Sequence, residues 1–381
     1  MGFKGVNLGN WLVLEKWMHP AMFSETDAED ETWLTRLMEK EQLLARLEAH
    51  RKSYITKEDF AKIAKLGLTL VRIPIPYYIF GDRPPFPGCA EYLDNAFLWA
   101  AEYGLKILVD LHTTPGNQNG YDNGGIVGVC KWHKNAGEVE FVLALLEKLS
   151  KRYGKEKALF GIEVVNEPIS LPVYLTAPTT GKARDAGEAE GSGYVPMSFL
   201  KQFYSDAYHR MRKYLPEEKA IVFHDGFRYL GWKNYFRKQH FGNVYLDCHY
   251  YIWAMEMFVP FHTPKAYQKY LDIARARILD LQKEVPVMVG EWSICNRYAL
   301  NAETWSELKR RFRQVAKMEL KALSCADGWL YWSYRLSPDI EEEMDEEWKE
   351  SWDLTRCIRN GWMPRSYKKK RRSAEKEETN A

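Results

Sequence analysis

Leu159-Phe160-Gly161-Ile162-Glu163-Val164-Val165-Asn166-Glu167-Pro168 is the stretch on which the fold turns. Residues 159–165 are apolar at nearly every position, on both faces of an extended chain. A strand with one wet face alternates polar and apolar residues; a strand buried between a core and a helix layer does not, and parallel sheets are built from the second kind. Glu163, inside the run, reads as a structural group, whereas Asn166 and Glu167 stand where the strand ends.

Seven more runs of this kind lie outward from it, at 3–8, 68–73, 105–111, 220–224, 244–248, 285–290 and 328–332. Amphipathic stretches separate them. One helix starts at Thr56, with Asp59 three residues on to complete a capping box, and stops at Gly67. Others are predicted at 91–103, 138–153, 198–214, 264–283 and 302–322. Eight strands alternating with helices predict an α/β chain folded as one closed (β/α)8 TIM barrel. An open doubly wound sheet would place a Gly-rich phosphate turn after its first strand. Here Asn7-Leu8-Gly9-Asn10-Trp11 follows instead.

Three segments break the rhythm. Residues 24–54 are charged yet helical in period (Trp33, Leu34, Leu37, Leu43, Leu44, Leu47), which predicts an extra helical element after strand one. Residues 171–195, with Ala177-Pro178-Thr179-Thr180-Gly181 and a second glycine cluster at 187–193, predict a long mobile loop after strand four. Residues 339–350 are acidic, and 366–381 predict a disordered charged tail beyond a catalytic unit at 1–365.

With 54 basic and 52 acidic residues the net charge is +2, so no electrostatic pull toward nucleic acid is expected. The 14 Trp and 23 Tyr fill cores but also stack on sugar C–H faces. Six scattered cysteines without a C-x-x-C pair predict unpaired thiols, with Cys248 and Cys295 buried and inert. Met1-Gly2-Phe3-Lys4-Gly5-Val6 runs into a strand without a charged and then apolar leader, which predicts a cytoplasmic chain. No apolar run has transmembrane length, so no membrane partner is expected. No His/Cys/Asp spacing suggests a metal, and no cofactor is expected; His224 and His133 read as structural.

In a (β/α)8 barrel the C-terminal strand ends form the mouth. Arg72, His112, Asn166-Glu167, His249, Tyr251, Glu291 and Trp332 all fall there. Alone, Trp332 is as easily core packing, and a single strand-end Glu as easily a salt-bridged rim residue. Arg72, set among apolar neighbours, is hard to explain as core, because a buried charge needs partners. Two carboxylates across one mouth match glycoside hydrolysis, which needs a proton donor on one side of the sugar and a nucleophile or base on the other.

Val164-Val165-Asn166-Glu167-Pro168 and Val289-Gly290-Glu291-Trp292-Ser293, with Arg72, His112, His249, Tyr251 and Trp332 in order, resemble the motifs of glycoside hydrolase family 5, a clan A retaining family. Gly5-Val6-Asn7-Leu8-Gly9-Asn10-Trp11-Leu12-Val13-Leu14-Glu15, Ala45-Arg46-Leu47-Glu48-Ala49-His50 and Pro115-Gly116-Asn117-Gln118-Asn119-Gly120-Tyr121-Asp122-Asn123 resemble its exo-β-1,3-glucanase branch. The resemblance runs from Gly5 to about Tyr334. It implies an exo-acting β-glucosidase or exo-β-1,3-glucanase with Glu167 as acid/base and Glu291 as nucleophile, acting on a β-glucoside or β-glucan oligosaccharide. Arg72 would keep Glu291 ionised, Asn166 would bind the sugar 2-hydroxyl, and Tyr251 and His249 would orient the nucleophile. His112 would contact the same sugar and Trp332 would be its stacking floor. Glu15, Asp122 and Asn123 would hold the outer hydroxyls and close the groove, and Tyr121 would clamp the leaving sugar. The alternatives are an endo-β-1,4-glucanase or diglycosidase on the same scaffold, or a non-catalytic carbohydrate-binding barrel. The first needs an open cleft, and the last would have lost a carboxylate.

Overall fold

A computed structural model of the chain describes residues 2–177, 179–337 and 346–364. The expected tail at 366–381 and most of the acidic stretch 339–350 lie outside the described residues.

Eight parallel strands close into a barrel in chain order: β1 (Phe3–Asn7), β2 (Leu70–Ile75), β3 (Lys106–Leu111), β4 (Leu159–Glu163), β5 (Ala220–His224), β6 (Val244–His249), β7 (Val287–Trp292) and β8 (Gly328–Tyr331). β1 pairs with β8 in the register Val6↔Tyr331, which closes the ring. The expected fold is the observed one, with strand ends displaced by one or two residues.

The period of two sorts each strand. Val71, Ile73, Ile107, Val109, Ile221, Phe223, Val287 and Val289 face outward into the main core beneath the helices. Each such side chain contributes roughly 1.5–3 kcal/mol by leaving water. The intervening residues face inward, in layers. Phe3 plugs the floor, edge-on to Phe160 (5.1 Å) and Tyr245 (6.2 Å). Gly328 lies under that plug, where a Cβ would meet the Phe3 ring at 2.1 Å. Leu70, Leu108, Ala220, Val222, Met288 and Leu330 form the next layer. One step higher the same faces carry charge: Arg72, Asp110, Glu163 and Asp247 are fully buried.

Six long helices wrap the barrel: Lys57–Lys65, Ala90–Tyr103, Ala136–Tyr153, Met197–Met211, Pro264–Leu281 and Trp305–Leu323. The first opens as expected, with the Thr56 N–H donating to Asp59 Oδ2 at 3.0 Å. Asn135, Thr263 and Thr304 cap three others by accepting N–H groups of the first turn.

Two expectations are refined. The extra element is two helices, Glu31–Leu37 and Lys40–Ser53, because Met38 between them is extended. The stretch expected to be a mobile loop carries two short helices, Leu171–Thr176 and Ala186–Ala189, and is tied to that extra element. Arg184 pairs with Asp27 (2.9 Å) and Arg36 with Glu188 (2.7 and 2.9 Å). The two guanidiniums also lie against Trp33, at 5.0 and 4.8 Å from its ring. Beyond β8, residues 346–364 return to the barrel: Ser333 N–H donates to the Trp352 carbonyl (2.7 Å) and Leu354 N–H to that of Ser333 (3.0 Å). No described helix is long and apolar enough to cross a membrane. All six cysteines are unpaired.

Candidate active site

Arg72 organises the mouth. Its Nε donates to Glu163 Oε2 (2.7 Å), Nη1 to Asn7 Oδ1 (3.1 Å) and Glu291 Oε1 (2.8 Å), and Nη2 to Asn166 Oδ1 (2.9 Å). Asp110 lies 3.1 Å from Nη2. A guanidinium fork can be fully buried here because each of its edges meets an acceptor.

Glu291 reaches the interior through a register shift. β6 and β7 pair Asp247 with Met288 and then His249 with Glu291, and β7 slips against β8 between Val289 and Trp292. The extra residue in β7 turns Glu291 inward where strict alternation would send it out. Gly290 makes the slip possible. Its N–H donates to Asp247 Oδ1 at 2.5 Å, and a Cβ would stand 1.8 Å from Asp247 Oδ2. Tyr251 Oη donates to Glu291 Oε2 at 2.7 Å.

Glu167 sits at φ 45°, a left-handed conformation that costs a non-glycine residue about 1–3 kcal/mol. From that turn its carboxyl meets His249 Nδ1 (2.7 Å) and Asn123 Nδ2 (3.2 Å). The same His249 nitrogen is 3.5 Å from Glu291 Oε2. Oxygens of the two carboxyls that bracket one atom in this way stand no more than about 6 Å apart. That upper bound accommodates the carboxyl separation of about 5–5.5 Å used for retention.

Burial and charge act on the two carboxyls in opposite senses. Burial raises the Glu291 carboxyl despite the pull of His249 and Arg72. On Glu167, burial is outweighed by His249 and Asn123, and the carboxyl is lowered. Arg72 is shared among Asp110, Glu163, Glu291 and Asp247, so its charge is not available to Glu291 alone. Burial opposes the charge on His249, but Glu291, Asp247 and Glu167 together lift it well above the usual imidazole range. His249 Nδ1 and the Glu167 carboxyl, 2.7 Å apart, thus favour each other's charged forms.

Glu15 is buried, accepts from Trp17 Nε1 (2.7 Å), and is raised well above the carboxylate range by burial and then by Asp122. Burial pushes Asp122 up to about 6. Trp332 lies parallel to His112 (5.7 Å, 8°) and over Gly9, where a Cβ would meet the indole at 2.9 Å. Tyr121 lines a cavity of about 420 Å³ with Glu167, His249 and Tyr251. Asn123 bonds Glu167 itself (3.2 Å) and Asn119 (3.0 Å).

His224 was expected to be merely structural, yet its ring stands edge-on to His249 at 4.4 Å. Its Nδ1 accepts from the Gly226 N–H (2.9 Å), and burial keeps the ring neutral. Asn7, Asp110, Asp247 and Trp352 also belong to the site and were not singled out. Asp110/His112 and Asp247/His249 are i, i+2 pairs on inward strand faces, a signal that would have found the two aspartates. Trp352, 5.3 Å from Tyr251, arrives from a segment no strand-end argument reaches.

Glu167, His224 and His249, and likewise Glu163, Asp247 and His249, place ligand-type atoms within 4.8 Å of one another. Of these carboxylates, Glu163 is already paired with Arg72 (2.7 Å) and Glu167 bonded to His249 (2.7 Å).

The family model "Cellulase (glycosyl hydrolase family 5)" matches residues 37–335. The Emericella nidulans protein named "Probable glucan 1,3-beta-glucosidase A" is 32% identical, over 95% of this chain and 89% of its own length. A glucan 1,3-beta-glucosidase of Schwanniomyces occidentalis is 29% identical, over 94% and 87%. A rutinosidase structure from Aspergillus niger superposes with a TM-score of 0.74 at 22% identity, over 95% of this chain and 97% of that one, a likeness of fold. With the family profile spanning most of the barrel and both carboxylates in its mouth, the chain belongs to glycosyl hydrolase family 5.

Proposed function

We propose that the protein is a retaining, exo-acting β-glucosidase of the exo-β-1,3-glucanase type. The observation that carries this reading is the single His249 nitrogen bracketed by Glu167 and Glu291, which brings the two carboxyls to opposite sides of one small space, as close as retention needs. In the first step Glu291 attacks the anomeric carbon while Glu167, oriented by its bond to His249, protonates the leaving oxygen. In the second, Glu167 takes a proton from water, which displaces Glu291 and frees glucose. Arg72 and Tyr251 fix the two Glu291 oxygens, one each. Asn166, held by Arg72, is placed to meet the sugar 2-hydroxyl, with His112 and Trp332 beside the same ring. Glu15, buried, and Asp122, half-buried, both raised, suit hydrogen bonding to outer hydroxyls at a closed end, which is what exo action requires.

Laminaripentaose labelled at its reducing end tests this. The expected products are glucose and labelled tetraose, with β-glucose as the first anomer seen by NMR. Internal fragments would favour the endo reading, and α-glucose would overturn the mechanism.

A further inference from the structure

The two sides of Glu167 differ in chemistry. On the side of Glu15, Asp122 and Asn166 the wall is polar. On the leaving-group side the 420 Å³ cavity is lined, beyond the catalytic groups, mainly by Val173, Ala177, Phe227, Met255, Phe258 and Val259. Thr176, one of the few hydroxyls there, is already bonded to the backbone carbonyl of Pro172 (2.9 Å). A departing glucose would press several hydroxyls against this wall without partners, each at a cost of about 1–3 kcal/mol. The apolar lining reaches the surface: Met257 is 55% exposed and Phe258 61%. Exposed apolar groups clustered at one rim mark a ligand groove.

We propose that the natural leaving group is an apolar aglycone, a hydrocarbon-bodied alcohol or phenol, seated between the helices Leu171–Thr176 and Ile252–Glu256. This rests on the glucosidase reading above and narrows its substrate class. The bond that breaks joins the anomeric carbon to the aglycone oxygen. That oxygen leaves with the proton from Glu167, and water completes the glucose.

The test is kcat/KM for methyl, propyl, pentyl and heptyl β-glucosides, below their aggregation concentrations, against laminaribiose. The primary alcohols leave equally well, so the series reads apolar contact alone. The expected result is a rise of about two- to fourfold per methylene, with the heptyl glucoside at least about tenfold above laminaribiose. Phe258→Ser and Val173→Asn should flatten the rise and leave methyl glucoside turnover unchanged. A flat series, or laminaribiose as the better substrate, would overturn the proposal and leave the glucosidase reading intact. Failure to cleave any β-glucoside, an aryl one included, would remove both.

Discussion

His249, bonded to Glu167 and favoured in its charged form by the carboxyls around it, is the group on which the pH dependence of the site is expected to turn. Its folded value stands well above the ordinary imidazole value of about 6.5. Its stabilising contribution is therefore complete below about pH 6.5 and is lost as the pH rises through the raised folded value. Activity should persist past neutrality and fall on the alkaline side as the His249 proton leaves. In His249→Asn the proton must sit on Glu167 alone, so the alkaline limb of kcat/KM should move to lower pH; an unmoved limb would place the proton elsewhere. At Gly290 the expected effect is structural. Gly290→Ala forces a methyl into Asp247, and it should cost several kcal/mol in urea unfolding and about 10²-fold or more in kcat/KM through displacement of Glu291. At this scale the sequence was legible where polarity interrupts a strand end, at Arg72, Glu167 and Glu291. It was opaque where a role depends on a neighbour across the barrel: nothing local in Asp247 says that it faces a glycine 43 positions on.

The element scale shows what periodicity can and cannot report. Largely apolar runs of five to seven residues announce strands whatever their partners, but a register shift is a relation between two strands. The turn of Glu291 into the mouth was therefore invisible until β6, β7 and β8 were seen side by side. The extra helical element gave no sign of its break at Met38, because its apolar spacing runs on through it. The 171–195 stretch read as mobile because its composition is polar and Gly-rich; its tethers are charge pairs and cation–π contacts with residues about 150 positions away. Those contacts predict a device for holding the leaving-group wall. Trp33→Ala removes the ring between Arg36 and Arg184. It should raise KM for heptyl glucoside several-fold while kcat/KM for methyl glucoside stays within about twofold, since each cation–π contact is worth only about 0.5–1 kcal/mol at an exposed site. Equal losses on both substrates would mean that the tether serves the glucose side as well.

For the whole molecule, closure of the ring was readable from eight alternations, but its final strap was not. Residues 346–364 carry Trp352 against Tyr251 and bury Trp362 completely, stacked on Phe312 at 4.4 Å. Their backbone is threaded into the end of β8 by bonds to Ser333 on either side. The strap thus joins the outer helix layer, through Phe312, to the tyrosine that holds the nucleophile, and the two should not unfold separately. Trp362→Ala leaves a large cavity and should cost about 3–5 kcal/mol. Urea unfolding followed by tryptophan fluorescence and by residual activity should then shift together, to the same lower midpoint. Loss of activity at a lower urea concentration than the fluorescence change would show the strap peeling from an intact barrel, so that the mouth would depend on a unit less stable than the ring that carries it.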